Sequence, residues 1–360
     1  MMVRAAIKNV ALRFADGVAR LMTVSNKSVT RVEAIHIVLL RPLGLGDLMM
    51  LSPFLNAVAR HYVGTPVYLV TEYRPFLSLE RVEWIHPTRV ARKDFKNSLV
   101  ISPTLSWRHL KYMLKARYYL GYFLSNRLIG NVAVPHYRYS PEKEHYFQRA
   151  KEILDCLDIS DGELQYGKLL VDDSKIKDLP TPYICIAPYC NWPERQYPKK
   201  QFVEVIQSLV GDVPVVLVGG DAGEERELAR QIVAEIGSDK LVNRVGETSF
   251  SQAAAIVKNA MLYIGNDSGL THAAFLSGVP TIAICGCVPG ELRMPLDPIL
   301  QERIAILGAA DQCPYYPCYD GYNRPSCCNA ERYACLARVA PEEVSRLASE
   351  MAVLSPENRG

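Results

Sequence analysis

The sequence has no long hydrophobic run, and this limits the kinds of protein it can encode. No window holds the roughly 18 uninterrupted apolar residues that cross a bilayer. Collagen-like and heptad repeats are also missing, which excludes fibrous and coiled-coil proteins. The 360 residues are 49% hydrophobic and 22% charged, too apolar for a disordered chain. We expect two globular domains, because single domains rarely grow past about 250 residues.

A secretory signal is missing as well. Charged residues interrupt any apolar stretch near the N-terminus: Arg4, Lys8, Arg13, Asp16 and Arg20. We therefore predict a cytoplasmic protein. Residues 3–22 place charged and apolar side chains on opposite sides of a helix. This pattern fits a helix packed on its own domain, a frayed tail, or a membrane-surface helix. The last would hold the protein at the inner face of the cytoplasmic membrane.

Positive charge is concentrated towards the N-terminal end. The formal net charge is only +3, yet residues 1–31 carry six basic residues and one acidic residue. Residues 81–127 carry ten basic residues and two acidic ones, interleaved with aromatic residues. Such a distribution is expected where a protein meets a polyanion or an anionic surface.

Ten cysteines are present, and half of them are bunched late in the chain: Cys313, Cys318, Cys327, Cys328 and Cys335. Their spacing resembles that of zinc ribbons only loosely, since two close pairs of the C-x₂₋₄-C type are not formed. A structural metal, a redox-labile loop and unligated thiols all remain open, although a cytoplasmic location argues against disulfides.

Strand-like and helix-like segments alternate twice along the chain, with a polar, proline-bearing linker at 172–182 between the two series. In the first series the patterns predict one apolar helix from Leu48 to Arg60 and a strand at Ser98–Ser102. In the second series they predict a strand at Tyr183–Ala187, a helix from Gly223 to Ile236, and a helix through Lys258 that starts with a capping box of Ser249 and Gln252. The alternation predicts parallel sheets covered by helices. The predicted organisation is a basic amphipathic tail (1–33), an N-terminal Rossmann-like domain (34–172), a C-terminal Rossmann-like domain (183–340) with the cysteine-rich segment 313–335, and a C-terminal helix and tail (341–360). Two such domains are expected to bind ligands in a cleft between them.

The most informative segment runs from Ile264 to Gly286. A strand ends there, and Ser268, Gly269, Leu270 and Thr271 are expected to expose backbone amides in the first turn of a helix. Those amides and the helix dipole suit a phosphate or diphosphate. Alternatively, Asp267 and Ser268 are ordinary helix caps with no ligand.

A second glycine-bearing turn follows the first predicted strand. Gly44 and Gly46 precede Asp47, whose carboxylate would lie at the carboxyl end of that strand. The turn is neither a complete G-x-G-x-x-G motif nor a P-loop, so a nicotinamide or NTPase site is disfavoured. A helix cap is the alternative function for Asp47.

Four segments in order resemble glycosyltransferase family 9, the heptosyltransferase group, which has a GT-B fold. Leu45-Gly-Asp-Leu-Met-Met-Leu-Ser-Pro53 is similar to the family's L-G-D-x₅-P start, and Asn191-Trp-Pro-Glu-Arg-Gln-Tyr-Pro198 to its W-P-E-K-x-W-P loop. Val218-Gly-Gly-Asp-Ala-Gly-Glu224 resembles its G-G-x₃-[DE] turn. The segment 264–286 resembles its G-N-D-S-G-x-x-H motif and the residues that follow.

The resemblance implies an α/β GT-B protein with two Rossmann-like domains that moves a heptose or related sugar from a nucleotide diphosphate to a lipopolysaccharide core or similar glycan. It implies Asp47 as general base in an inverting reaction, with Gly44 and Gly46 in the acceptor-side loop. The donor would be held by Arg195, Glu224, Asp267, Ser268, Gly269, Leu270, Thr271 and His272. Arg195 stands where the family has Lys, and Tyr197 where it has Trp, which leaves the donor sugar open.

These assignments predict no cofactor and no metal, since no D-x-D motif is present. The expected partners are a nucleotide-diphosphate sugar, with ADP-heptose as the first candidate, and an anionic lipid-linked glycan, with the protein associated with a membrane surface. The alternatives are an epimerase or hydrolase that acts on the nucleotide sugar alone, and a nucleic-acid-binding protein. No recognised nucleic-acid-binding module supports the last alternative, so we predict no nucleic acid as a partner.

Overall fold

The structure is a computed structural model that describes residues 29, 31–40, 43–104, 107–123, 127–132, 134, 137, 139–140, 143–160, 162, 164–308, 313–318, 327 and 331–353. The described residues up to Gly167 form an N-terminal unit, and those from Lys168 onwards form a C-terminal unit. The predicted helix at 3–22 and Cys328 lie outside these ranges. No helix within the ranges combines the length and the apolar character needed to cross a membrane.

The N-terminal unit is built on a six-stranded sheet. The strands of the unit are β1 (Ala34–Val38), β2 (Val67–Val70), the short β3 (Leu77–Ser78), β4 (Val82–Ile85), β5 (Ser98–Ser102), β6 (Tyr118–Phe123) and β7 (Arg127–Gly130). The sheet order is β4-β2-β1-β5-β6-β7. All neighbours are parallel except β6 and β7, which are antiparallel. A parallel pair needs a long crossover, and the short connection between these two strands is the reason that the predicted parallel sheet has one antiparallel edge.

Helices of the N-terminal unit are α1 (Leu45–Met50), α2 (Ser52–His61), α3 (Trp107–Met113) and α4 (Gln148–Cys156). The expectation of one helix from Leu48 to Arg60 is wrong, because the helix is interrupted at Leu51. Pro53 has no backbone N–H to continue the hydrogen-bond ladder, and the Ser52 hydroxyl donates instead to the Met49 carbonyl at 2.6 Å.

The C-terminal unit contains a second six-stranded sheet, in which every neighbouring pair is parallel. Its strands are β9 (Ile184–Ala187), β10 (Val215–Leu217), β11 (Leu241–Asn243), β12 (Leu262–Asn266), β13 (Thr281–Ile284) and β14 (Ile304–Leu307), in the order β11-β10-β9-β12-β13-β14. The short β8 (Lys168–Leu169) precedes them. The central strands are buried along their whole length, as expected where helices cover both faces of a sheet.

Helices of the C-terminal unit are α5 (Lys199–Leu209), α6 (Gly223–Ile236), α7 (Phe250–Lys258), α8 (Gly269–Ser277), α9 (Pro298–Gln301), α10 (Ala334–Ala337) and α11 (Pro341–Val353). The capping box predicted for α7 is present: the Ser249 hydroxyl accepts from the Gln252 N–H, and the Gln252 side chain accepts from the Ser249 N–H. Start and stop signals in the sequence therefore located these helices well.

Both six-stranded sheets share the strand order of a doubly wound fold, in which the first strand of the sheet lies near its middle. Chain direction across the sheet reverses beside that strand, and ligands of such folds bind at the carboxyl ends of the two strands that flank the reversal. In the N-terminal unit these are β1 and β5, and in the C-terminal unit they are β9 and β12. The loops that follow these four strands are therefore the places to look for function.

The stretch 81–127 separates its basic residues from its aromatic ones. Its exposed basic side chains are Arg81, Arg89, Lys96, Arg108, Lys111, Lys115 and Arg117. Tyr112, Tyr118 and Tyr122 are buried in the core. These basic side chains are therefore exposed to solvent, with Arg108 paired to Glu72, whereas these rings are not available to stack on nucleic-acid bases.

Candidate functional site

The loop after β9, residues 188–198, is folded back on itself by Gln196. Its side-chain amide donates to the Pro188 carbonyl at 2.6 Å and accepts from the Cys190 N–H at 2.6 Å. Asn266, at the end of β12, accepts from the Tyr197 N–H at 2.8 Å and donates to Pro188 at 3.2 Å. The loop that carries Arg195 is thus joined to the strand that leads into α8.

The first turn of α8 begins directly after this strand. Ser268 is its N-cap residue but forms no side-chain capping hydrogen bond. The Thr271 hydroxyl donates backwards to the Asn266 carbonyl and lies 3.1 Å from the Tyr263 hydroxyl. No side-chain cap therefore occupies the first backbone amides of α8, and such amides at a helix start can donate to an anion.

Asp267 is not the cap of α8, contrary to the alternative drawn from the sequence. Its carboxylate is 6% exposed, and Oδ2 lies 3.2 Å from Nη1 of Arg195. Oδ1 lies 3.4 Å from Nε2 of His272. Burial by itself would raise the pKa of Asp267, but the charge of Arg195 and the hydrogen bond from His272 outweigh it and hold the pKa well below its usual range. Asp267 therefore stays ionised and orients both neighbours.

Arg195 is held on two sides. Its guanidinium lies over the Trp192 ring, 4.3 Å from the ring centre, and only 14% of its side chain is exposed. A planar guanidinium can stack on an aromatic ring and bind a carboxylate at the same time, which the compact ammonium of Lys does less well. The arginine that stands in place of the family's Lys is therefore matched locally by Trp192, on whose ring it stacks.

The loop after β13 adds two residues that the sequence analysis did not select. Cys287 donates its N–H to the Glu194 carbonyl at 3.3 Å, which joins this loop to the one that carries Arg195. A hydrogen bond from Cys318 lowers the pKa of the Cys287 thiol; burial opposes this effect, and the charge of Arg195 adds to it. Arg293 is buried, and its charge acts on both Arg195 and Asp267. The sequence signal that could have identified Arg293 is an arginine in the loop that follows a buried parallel strand.

Glu224 occupies a different part of the unit. It is exposed in the first turn of α6, where its carboxylate accepts from the Tyr189 hydroxyl at 2.8 Å. Burial, and next this hydrogen bond to Glu224, raise the pKa of Tyr189 to about 12. The neighbouring Glu225 accepts from the Gly220 N–H and closes the glycine turn. Tyr189 lies in the loop after β9, so Glu224 borders the loop that carries Arg195.

In the N-terminal unit, Asp47 lies in the first turn of α1. Its Oδ2 accepts from the Gly44 N–H at 2.9 Å, and the side chain is half-buried. A Cβ at position 44 would lie 3.3 Å from that same oxygen. Asp47 therefore does stabilise a helix start, and the predicted second role as a base is compatible with this geometry because a carboxylate has more than one acceptor site.

Tyr197 has a structural role in the loop that carries Arg195. Tyr197 is fully buried, and its hydroxyl donates to the Val339 carbonyl at 2.9 Å, so it anchors the segment before α11.

The cysteines within the described ranges are free thiols. Among those same residues, no group of three or more His, Cys, Asp or Glu side chains is arranged to hold a metal ion.

Two Rossmann-like units, the second with Arg195 and Asp267 paired next to the start of α8, define a two-domain α/β protein. A family model described as glycosyltransferase family 9 (heptosyltransferase) matches residues 110–313. The match covers more than half of the sequence, and the chain belongs to this family.

Curated relatives and solved structures agree with this assignment. The chain is 26% identical over 144 residues to lipopolysaccharide heptosyltransferase 2 of Salmonella typhimurium, a match that covers 39% of this chain and 40% of the relative. A family 9 glycosyl transferase from Veillonella parvula superposes with a TM-score of 0.68 at 16% identity, over 91% of this chain and 100% of that one. The E. coli ADP-heptose lipopolysaccharide heptosyltransferase II gives 0.61 at 16% identity, over 89% and 99%. The likeness in fold confirms the prediction of a GT-B protein.

Family membership also favours a glycosyltransferase over the two alternatives drawn from the sequence, the epimerase or hydrolase and the nucleic-acid binder. The roles of individual residues are a separate matter. The structure brings Arg195, Asp267 and His272 into contact, and it places Glu224 with Tyr189 and Asp47 with Gly44.

Proposed function

We propose that this chain transfers a heptose or related sugar from a nucleotide diphosphate to the core of lipopolysaccharide or a similar bacterial glycan. ADP-heptose is the donor that we expect, because the E. coli structural neighbour is described as an ADP-heptose enzyme. The observation that carries the proposal is the contact of Asp267 with both Arg195 and His272 at the start of α8.

The donor diphosphate would bind at this cluster. The nucleoside diphosphate is the leaving group of the reaction, and negative charge develops on its terminal phosphate oxygen as the bond to the sugar breaks. The first amides of α8 and the guanidinium of Arg195 would stabilise that charge without reorganising, since Asp267 and Trp192 already hold the guanidinium in place. We propose that this arrangement, rather than a metal ion, neutralises the leaving group. Glu224 would bind the nucleoside.

Asp47 would act as the general base on the acceptor side, in the loop that contains Gly44 and Gly46. The acceptor hydroxyl oxygen attacks the anomeric carbon of the sugar, and its proton passes to the Asp47 carboxylate. The bond between that carbon and the diphosphate oxygen breaks, and the configuration at the carbon is inverted. General-base assistance of this kind typically contributes about 10²–10⁴ in rate.

The acceptor would be anionic and linked to a lipid. Lys111 and Lys115, exposed on and after α3, would provide positive charge for its phosphate groups or for the membrane surface around it. The protein would then work while bound peripherally to the inner face of the cytoplasmic membrane.

A transfer assay tests the proposal directly. The purified protein is incubated with ADP-heptose and a lipooligosaccharide truncated before its heptoses, and the glycan mass and the ADP released are measured. We expect one heptose added per ADP formed, with little ADP formed when the acceptor is left out. Release of free heptose at the same rate without acceptor would contradict the proposal and favour a hydrolase.

Donor binding has its own test. ADP should raise the melting temperature with the logarithm of its concentration. Arg195→Met should abolish this shift, whereas Arg195→Lys, which keeps the charge, should retain part of it. Equal shifts in all three proteins would show that ADP binds elsewhere.

A further inference from the structure

A buried histidine lies beside the chain segment that leads to Asp47. His109 of α3 is 2% exposed. Its Nε2 accepts a hydrogen bond from the Leu40 N–H at 3.3 Å, just beyond the end of β1. Its Nδ1 lies 2.7 Å from the Ser102 hydroxyl, at the end of β5, and 2.9 Å from the Thr104 carbonyl. The ring therefore bridges the carboxyl ends of the two strands that flank the reversal in this sheet.

The partners of this ring determine where its proton is. A backbone N–H can only donate, so the Leu40 N–H requires a lone pair on Nε2. A backbone carbonyl can only accept, so the Thr104 carbonyl requires the proton on Nδ1. Burial agrees with a neutral ring, because it lowers the pKa of His109 to about 4, while the hydrogen bond to Thr104 acts in the opposite direction. A charged ring would direct an N–H at the Leu40 N–H and lose this bond.

A short series of hydrogen bonds connects Leu40 to the Asp47 carboxylate. The Leu43 N–H donates to the Leu40 carbonyl at 3.3 Å, and the Leu43 carbonyl accepts from the Tyr73 hydroxyl at 2.5 Å. The next residue, Gly44, donates its N–H to Asp47. The backbone on the way to Asp47 is therefore fixed at Leu40 by His109 and at Leu43 by Tyr73, both of which are distant in sequence.

We propose that His109, in its neutral form with the proton on Nδ1, is a positioning residue for Asp47, and that it acts by holding the end of β1 through the Leu40 N–H. Tyr73 makes the second such contact. This inference rests on the proposed function, because it assumes that Asp47 is the base. His109 itself exchanges no proton with substrate in this scheme, since both of its nitrogens are bonded to the protein.

Two substitutions of His109 separate its hydrogen bonds from its bulk. Gln has one acceptor and one donor side by side, so His109→Gln can reproduce the bonds to Leu40 and Thr104. His109→Leu fills similar space and makes neither bond. A misplacement of about 1 Å can cost about 100-fold in rate, so we expect kcat to fall by about 10- to 100-fold in the Leu variant. The Gln variant should recover most of it, and KM for ADP-heptose should stay within about twofold in both.

The decisive measurement is a double-mutant cycle with Asp47→Asn. If His109 acts through Asp47, the Leu substitution lowers kcat strongly when Asp47 is present and by less than about threefold in the Asp47→Asn background. An equal loss in both backgrounds would overturn the inference, as would full activity of the His109→Leu protein. A third result is distinct: near-normal turnover of Asp47→Asn alone would contradict the proposed function, because Asp47 would then not be the base.

The Leu variant has a buried position and could fail to fold, so Tyr73→Phe is measured in the same cycle. This change removes one hydroxyl from a half-buried side chain and leaves the ring in place. We expect a smaller loss of kcat, about three- to tenfold, again only when Asp47 is present. An unchanged kcat in Tyr73→Phe would show that the backbone before Asp47 does not need the Tyr73 contact, and would overturn that part of the inference.

Discussion

The ion pair between Arg195 and Asp267 allows a quantitative prediction about stability. In Asp267→Asn the side chain keeps its shape and loses its charge. Arg195, at 14% exposure, is then left with its charge largely buried and without this carboxylate. Removing one partner of a buried ion pair typically costs about 3–5 kcal/mol, because the remaining charge stays desolvated.

The expected size of the effect follows from this cost. For a unit of this size, each kcal/mol lowers the melting temperature by about 2–4 °C. Asp267→Asn should therefore melt roughly 6–20 °C below the parent protein. The double variant Arg195→Met with Asp267→Asn removes both charges, and its loss should be clearly smaller than the sum of the two single losses.

The pH dependence gives the same carboxylate a second signature. The pKa of Asp267 is lower in the folded protein than its unfolded value of about 3.9, so the folded state favours the ionised form. The stabilisation is therefore fully present above about pH 5 and is lost as the pH falls through the unfolded value towards the lower folded one. In the Asn variant this part of the acid sensitivity should disappear.

Calorimetry and urea unfolding at pH 7 and at about pH 3 measure these effects on the parent, the two single variants and the double variant. A loss below about 1 kcal/mol for Asp267→Asn, a value typical of an exposed ion pair, would refute the reasoning. Additive losses in the double variant would refute it as well, because they would mean that the two charges do not interact.

Three further outcomes are expected. Asp47→Asn should lower turnover by about 10²–10⁴ with KM for the donor nearly unchanged, measured by ADP release; a matching fall in donor affinity would mean that Asp47 binds rather than reacts. Glu224→Gln should raise KM for the nucleotide sugar with little change in kcat, and an unchanged KM would remove Glu224 from the site. Flotation at low salt should recover the protein with acidic but not neutral liposomes. The double variant Lys111→Glu with Lys115→Glu should bind acidic liposomes less, since each basic residue near such a surface contributes about 1 kcal/mol. Equal recovery with both kinds of liposome would contradict the proposed membrane association.

The sequence was informative where the signal is local. Strands β5 and β9, helix α6 and the capping box of α7 all lie within a few residues of their predicted positions, because their burial pattern and end signals are written in consecutive residues. The break at Leu51 was also encoded locally, by Pro53, but the apolar run through both helices concealed it.

The sequence was less informative about pairs of distant residues. The resemblance to a family placed Arg195 and Asp267 in one site, but nothing in the sequence indicates that they contact each other rather than cap a helix or bind solvent. Arg293 was missed for the same reason: its effect on Asp267 depends on a loop that is brought back by β13. His109 stands in a basic, aromatic stretch, and only the sheet order brings its ring to the end of β1.

The bond from Tyr197 to Val339 has a consequence for the order in which the protein is made. Tyr197 lies in the loop that carries Arg195, and its hydroxyl partner is supplied by a residue that is synthesised 142 positions later. Val344 and Ala348 of α11 also belong to the core that surrounds Tyr197. During translation the N-terminal unit can fold while this partner is still inside the ribosome. The loop that carries Arg195 gains its final support only after Val339 has emerged. If this loop binds the donor as proposed, a ribosome stalled before that residue should carry a nascent chain unable to retain ADP.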